Sequence, residues 1–310
     1  MTDERFAAAR SFLLTEGRLL ERRLFATVFE GAPAGGVVDA LRGYQNDDGG
    51  FGHGLEPDKL CPASLPIDVE MAFSALLAAG TTDADMVRRA CDWLAAVADD
   101  AGAVPLAFPV MEGYPRAEHW SDWTYTYGLH PTAGLAGLLH ALDVEHPWRD
   151  RATRYAWEAI EGADSPLPED AHALCEVLLF LEHVPEPDRA AAIAPAVAAA
   201  LPKARWYKGD AADPGYGVTP LDYAPTPGSR WRSLFTDEQI AGHLDRLERD
   251  QQPDGGWPIT WEPPGRSSAL DYRGIVTLSA MRALVAYGRW AGPSPHSRVS
   301  TPGPNSSLLT

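Results

Sequence analysis

Apolar positions recur at intervals of three and four along most of this chain, and two-residue alternation is nearly absent. That pattern predicts helices and almost no strand. The first periodic stretch runs over residues 3–30, with Phe6, Phe12, Leu13, Leu20 and Leu24 as its apolar marks, and a second over 34–44. Pro66 opens a helix that Gly80 ends, the expected asymmetry of Pro in the first turn and Gly past the last. A helix over 83–99 follows, with Trp93 and Leu94 inward, then helices over 130–142, 147–161, 168–183 and 187–201. Thr236 with Gln239 three residues on reads as a capping box for a helix ending near Asp250, and a last helix covers 270–290. The stretches over 66–99, 130–161 and 168–201 are helical hairpins repeating about every 50 residues, as such units do.

Between the helices lies a second pattern. Leu41-Arg42-Gly43-Tyr44-Gln45-Asn46-Asp47-Asp48-Gly49-Gly50-Phe51 aligns without a gap on Leu247-Glu248-Arg249-Asp250-Gln251-Gln252-Pro253-Asp254-Gly255-Gly256-Trp257, 206 residues later, and Glu56-Pro57 falls on Glu262-Pro263. Both copies read Gln-x-x-x-Gly-x-aromatic. Each sits where a helix ends and its last carbonyls need partners, with a Gly pair for the reversal and a Gln amide long enough to bridge to a neighbouring helix. These residues therefore read as scaffold, and Asp47, Asp48 and Asp254 as turn residues.

The duplicated segments resemble the QW motif of squalene and oxidosqualene cyclases and the Gly-Gly-Phe repeats of protein prenyltransferase β-subunits. The basic and aromatic positions that precede the Gln in the full motif are not present in either copy. The resemblance implies an all-α fold, an (α/α) toroid in which five to six helical hairpins close into inner and outer layers. Residues 1–290 are expected to form that toroid as a single domain, and 291–310, rich in Pro and Ser, a disordered tail.

Composition narrows the partners. The chain has 310 residues, 45% of them hydrophobic, and a net charge of −17. Such a charge disfavours nucleic acid and anionic membrane. No apolar run reaches membrane-spanning length and the N-terminus lacks the features of a signal peptide, so a cytoplasmic location is expected. Cys61, Cys91 and Cys175 have no paired spacing, which argues against a disulfide framework. No Gly-rich phosphate loop, Gly-x-Ser-x-Gly elbow or His-Glu-x-x-His is present, and neither a metal nor another cofactor is expected. The sequence does not address oligomeric state.

Candidate chemistry sits on the long segments that precede inner helices. These are rich in aromatics: Trp120, Trp123, Tyr125 and Tyr127; then Trp206, Tyr207, Tyr216, Tyr223 and Trp231; then Trp261 and Tyr272. Their π faces suit a carbocation or a stacked sugar, and they equally suit the pinning of loops onto a barrel rim. Asp68 and Asp271 follow the two motif copies by 17 and 14 residues and open helices as Asp68-Val69-Glu70 and Asp271-Tyr272-Arg273. Each is a candidate proton donor or a plain first-turn carboxylate on a helix dipole. The Asp-x-Asp-Asp acid of class II terpene cyclases is missing. Glu56 and Glu262 form a second symmetric pair, and His130 and His172 open two further inner helices. Protein prenyltransferases hold zinc with Asp, Cys and His, but the Asp-x-Cys spacing is missing; Asp58 and Cys61 with His53 are a poor substitute.

The resemblance implies a terpenoid-cyclase-like or prenyltransferase-like enzyme acting on an apolar, isoprenoid small molecule by acid-initiated chemistry. Asp68, Asp271, Glu70 and Tyr272 are its candidate catalytic residues. Trp123, His130, Tyr223, Trp261, Glu262 and Arg273 are its candidate substrate contacts. A carbohydrate-active (α/α)-barrel hydrolase or lyase, with aromatics and paired acids, and a non-catalytic binding toroid are the alternatives.

Overall fold

The computed structural model of the chain describes residues 2–162 and 167–292; of the expected tail, residues 293–310 lie outside them. Among the described residues there are twelve α-helices: α1 (Thr2–Glu16), α2 (Leu19–Glu30), α3 (Gly35–Arg42), α4 (Pro66–Ala79), α5 (Ala84–Val97), α6 (Leu129–Ala141), α7 (Pro147–Glu161), α8 (Ala171–His183), α9 (Pro187–Ala200), α10 (Pro220–Tyr223), α11 (Asp237–Asp250) and α12 (Arg266–Ala286). Two-residue strands, β1 (Val104–Pro105) and β2 (Tyr127–Gly128), pair antiparallel.

The even-numbered helices form an inner ring. α2 packs on α4, α4 on α6, α6 on α8 and α8 on α10, while α12 returns to α2. The odd-numbered helices lie outside, α11 bridging α10 to α12 and α1 lying against α12 and α2, so the ring closes first helix on last. Burial follows the layers. Eleven of the fourteen residues of α4 are buried, as a helix packed on all sides requires. The outer α5 buries one stripe of Met86, Val87, Ala90, Cys91, Trp93 and Leu94, the i, i+3/i+4 face of an amphipathic helix. The all-α toroid is the observed architecture.

One expected element divides. The periodic stretch over 3–30 is two helices, because Gly17 ends α1 and Arg18 turns extended at φ −62°, ψ 166° to open α2. A Cβ at position 17 would lie 2.7 Å from the Leu13 carbonyl oxygen. The Arg18 guanidinium holds the corner, donating to both Glu21 carboxylate oxygens at 2.6 and 2.9 Å and to the Leu55 carbonyl at 2.8 Å. The break matters because it supplies the sixth inner helix.

The two motif copies fold alike. Gln45 donates to the Gly49 and Met86 carbonyls, both at 2.9 Å, and Gln251 to the Gly255 and Arg5 carbonyls at 3.0 and 2.9 Å. Each Gln therefore ties its own turn to the first turn of the next outer helix, α3 to α5 and α11 to α1. Gly49 and Gly255 have φ of +96° and +94°, where an L side chain is strained.

Candidate active site

The segments entering the inner helices meet one another. Leu60 donates its N–H to the Pro115 carbonyl at 2.9 Å and Ala117 to the Asp58 carbonyl at 2.8 Å. The loop ahead of α4 is thereby tied to the loop ahead of α6. On this seam lies a buried polar network. Glu56 accepts from the Tyr272 hydroxyl on one carboxylate oxygen and pairs with the Lys59 ammonium on the other, and its backbone N–H donates to Asp68 at 2.8 Å. All these side chains are at most 5% exposed. Lys59 also stands 4.1 Å above the Trp120 ring, a cation–π contact strengthened by burial.

Two carboxyls in this network are held close to neutrality. Burial pushes Asp68 up to about 7, against the Lys59 charge and the hydrogen bond from the Glu56 N–H. Asp58 is pushed up to about 7 by burial and the Glu56 charge, with the Trp261 indole and Lys59 pulling the other way. The two differ in freedom. Asp68 spends an oxygen on the backbone, whereas Asp58 Oδ1 is buried without an ordinary hydrogen-bond donor among the described residues. His119, half exposed, stands 3.5 Å from the other Asp58 oxygen, and burial lowers its pKa.

From Tyr272 an arc of rings runs around the mouth of the inner ring. Tyr272 meets Trp261 edge-on at 4.8 Å between centroids, Trp261 meets Tyr216 at 5.4 Å, Tyr216 stacks on His172 at 5.6 Å, and His172 stacks on His130 at 6.4 Å. The arc carries a polar relay. His172 contacts Asp170 through Nδ1 at 3.0 Å and the Tyr216 hydroxyl through Nε2 at 2.5 Å. With Asp170 accepting from Nδ1–H, Nε2 is left facing the Tyr216 hydroxyl as the ring's acceptor. Burial raises Asp170, but the hydrogen bonds from His172 outweigh it and hold the carboxyl at about 2. His130 is driven down to about 3, chiefly by burial, so its ring is neutral.

One helical turn deeper, Glu70 of α4 faces Glu176 of α8 against Gly134 of α6. A Cβ at Gly134 would lie 1.5 Å from Glu176 Oε2 and 2.8 Å from Glu70 Oε1. Burial raises both carboxyls, Glu70 to about 7, and for Glu176 the Glu70 charge adds to it.

The candidate residues thus divide by place. Asp68, Tyr272 and Trp261 meet around Glu56; His130 and Glu70 lie toward the barrel axis; Trp123 packs on Trp120 at 4.3 Å at the edge of the seam. Asp271 lies apart, where its interactions are with Arg18 and Glu21. Arg273 is turned to the second motif copy, donating to the Trp257 carbonyl, Gln252 and Asp254 at 2.8–3.0 Å. Tyr223 is buried with its hydroxyl on the Ala171 carbonyl at 2.8 Å, and Glu262 is exposed. In the sequence Asp58 stands out only as a poor substitute zinc ligand with Cys61 and His53, and Lys59, Asp170 and Glu176 do not stand out as site residues. Glu176 did carry a signal, a lone acid in the apolar run Leu174-Cys175-Glu176-Val177-Leu178-Leu179-Phe180.

No family model and no curated protein matches this chain. Solved structures share its fold, two of them as follows. A protein from Actinoplanes superposes with a TM-score of 0.57 at 18% identity, over 92% of this chain and 99% of that one. The type II terpene cyclase MstE of Scytonema, solved as an aspartate-to-asparagine variant with its substrate geranylgeranyl dihydroxybenzoate, superposes with a TM-score of 0.52 at 13% identity, over 91% of this chain and 97% of the cyclase. At such identities the likeness is one of fold: a terpenoid-cyclase-like helical toroid. No described helix is long and apolar enough to cross a membrane.

Proposed function

We propose that the chain is a terpenoid-cyclase-like enzyme that protonates an apolar, isoprenoid small molecule at the mouth of its inner ring, with Asp58 as the acid. The observation that carries this reading is a buried carboxyl whose Oδ1 meets no donor at ordinary hydrogen-bond geometry, held near neutrality beside Trp261 and Tyr216. A protonated carboxylic acid in such surroundings is a competent general acid near pH 7. Asp58 gives its proton to one carbon of an alkene, whose π electrons form the new C–H bond. The cation left on the neighbouring carbon is stabilised by the Trp261, Tyr216 and Tyr272 faces.

The second half of the reaction removes a proton. Tyr216 takes it from a carbon beside the cation while passing its own hydroxyl proton to His172 Nε2, and the imidazolium is stabilised by Asp170. The two electrons of the broken C–H bond restore an alkene, so the substrate is isomerised or cyclised without an oxidant. His119 returns a proton to Asp58 from solvent, and the His172 imidazolium releases its proton to solvent, which resets the site. A fold shared with a cyclase whose bound substrate carries a geranylgeranyl chain supports the isoprenoid class. The glycosidic alternative needs two free carboxyls facing a substrate, whereas Glu56 is engaged by Tyr272 and Lys59 and the facing pair Glu70 and Glu176 is fully buried.

The test is incubation of the full chain in D2O with geranylgeraniol, squalene and a geranylgeranylated aromatic acid, followed by mass spectrometry. One deuterium on carbon per product molecule, lost in Asp58→Asn, is expected. Product without solvent deuterium, or an Asp58→Asn variant of full activity, would overturn the assignment.

A further inference from the structure

Glu70 and Glu176 pose a problem of charge that the protein alone leaves open. Their side chains are 1% and 0% exposed. Apart from each other's carboxyl, all four of their carboxylate oxygens lack a hydrogen-bond donor among the described residues. An isolated buried carboxylate is among the costliest groups a protein can hold. Two of them lie face to face here, and sequence and packing both press them together. They stand at matching depth on α4 and α8, and Gly134 is the residue of α6 against which both carboxyls rest. Any side chain there would displace Glu176.

A third donor completes the set. One oxygen of each carboxyl and one ring nitrogen of His130 lie within 4.8 Å of one another. A neutral imidazole nitrogen is a metal ligand. We propose that Glu70, His130 and Glu176 form a binding site for one divalent transition-metal ion, with zinc the ion best suited to them, between α4, α6 and α8 behind the aromatic arc. Two carboxylates cancel a divalent charge. An imidazole with two oxygens suits zinc, manganese or ferrous iron better than calcium or magnesium, which take all-oxygen shells. Three protein ligands leave a tetrahedral ion one position for water or substrate. The rival means of neutralisation is a proton shared between the two carboxyls.

The site is independent of Asp58 chemistry, and its test reads metal rather than turnover. Full-length protein stripped with a chelator is titrated calorimetrically with Zn2+, and with Mg2+ as the control, while its melting temperature is followed. One equivalent of Zn2+ should bind and raise the melting temperature, with Mg2+ far weaker. Glu70→Gln and Glu176→Gln should each weaken Zn2+ by at least about 100-fold, since removal even of groups that merely orient ligands costs up to about that factor. Both variants should melt higher than the wild type when metal-free, because each removes a buried charge. That gain also shows that they fold. Failure of the wild type to bind Zn2+ would overturn the site in favour of the shared proton. Stoichiometric binding unchanged in both variants would overturn it in favour of another location.

Discussion

The Tyr272 hydroxyl donates to the Glu56 carboxylate across 216 residues of chain, joining α12 to the loop ahead of α4. That bond spans the seam where the last inner helix returns to the beginning of the ring, and Glu56 has Lys59 as its other partner. Tyr272→Phe leaves a buried carboxylate oxygen without a donor. The expected cost is about 1–3 kcal/mol, read as a lower urea midpoint at unchanged slope. An unchanged midpoint would mean that water replaces the phenol at no cost.

The acid assignment has a pH signature whose sign is set by the raised pKa values. Asp58 and Asp68 hold protons in the folded state up to about 7, while an unfolded Asp loses its proton near 3.9. Between those values the native state binds more protons, so stability falls as pH rises. Their contribution is fully present below about pH 4 and lost as pH passes 7. Turnover needing protonated Asp58 should fall over the same upper range. Glu56, Lys59 and the Trp261 indole act on Asp58 directly, and His119 stands beside it. Asp58→Asn should flatten part of the stability slope, and it should lower turnover by roughly 10²-fold or more, the usual contribution of a general acid. Chemical denaturation at pH 5, 6, 7 and 8 checks the first effect, and a slope unchanged by the substitution would contradict it.

The duplicated turns make a plainer prediction. Gly255→Ala places a methyl group 2.2 Å from the Ala8 carbonyl oxygen at a φ of +94°, and α1 cannot give way without leaving α12. A loss of roughly 3 kcal/mol or more is expected from strain and overpacking together. Gln251→Ala removes two hydrogen bonds from a half-buried amide and should cost about 1–2 kcal/mol. Both should lower the melting temperature and leave turnover per folded molecule intact.

Much of this architecture is legible in the residue pattern, and what is not has identifiable physical causes. The Gln–Gly pairs mark turns because only a few residue types meet their geometry, so a gapless duplication is informative at any distance. The α1–α2 break is hidden because Gly17 and Arg18 interrupt a run whose apolar period continues on either side. What decides the corner is the Arg18 clasp on Glu21 and Leu55, a contact between segments. Asp58 and Lys59 are illegible for the same reason. Their burial depends on the loop carrying Arg116 and Trp120 closing over them, which no local pattern records. Asp271 and Asp68 look equivalent by spacing from the repeats, yet one faces Arg18 and the other Glu56, because the loops between motif and helix differ in path.

Gly134 and Gly137 of α6 look interchangeable in sequence, and the structure makes them differ. At Gly137 an added Cβ would meet the backbone of α8, 2.8 Å from the Leu179 oxygen and from the Phe180 Cα. At Gly134 the obstacle is the Glu176 carboxyl, at 1.5 Å. Backbone cannot be removed, but a carboxyl can. Gly134→Ala should therefore destabilise the wild type by about 1–3 kcal/mol, the usual range for overpacking. In a Glu176→Ala background the same change should be neutral or stabilising by up to about 1 kcal/mol, the helix-propensity gain of Ala over Gly. The coupling energy in that double-mutant cycle should exceed about 1 kcal/mol. Gly137→Ala should be costly in both backgrounds. Additive behaviour at Gly134 would show that Glu176 does not rest against α6 in solution, and the proposed metal site would lose the wall that holds its two carboxyls together.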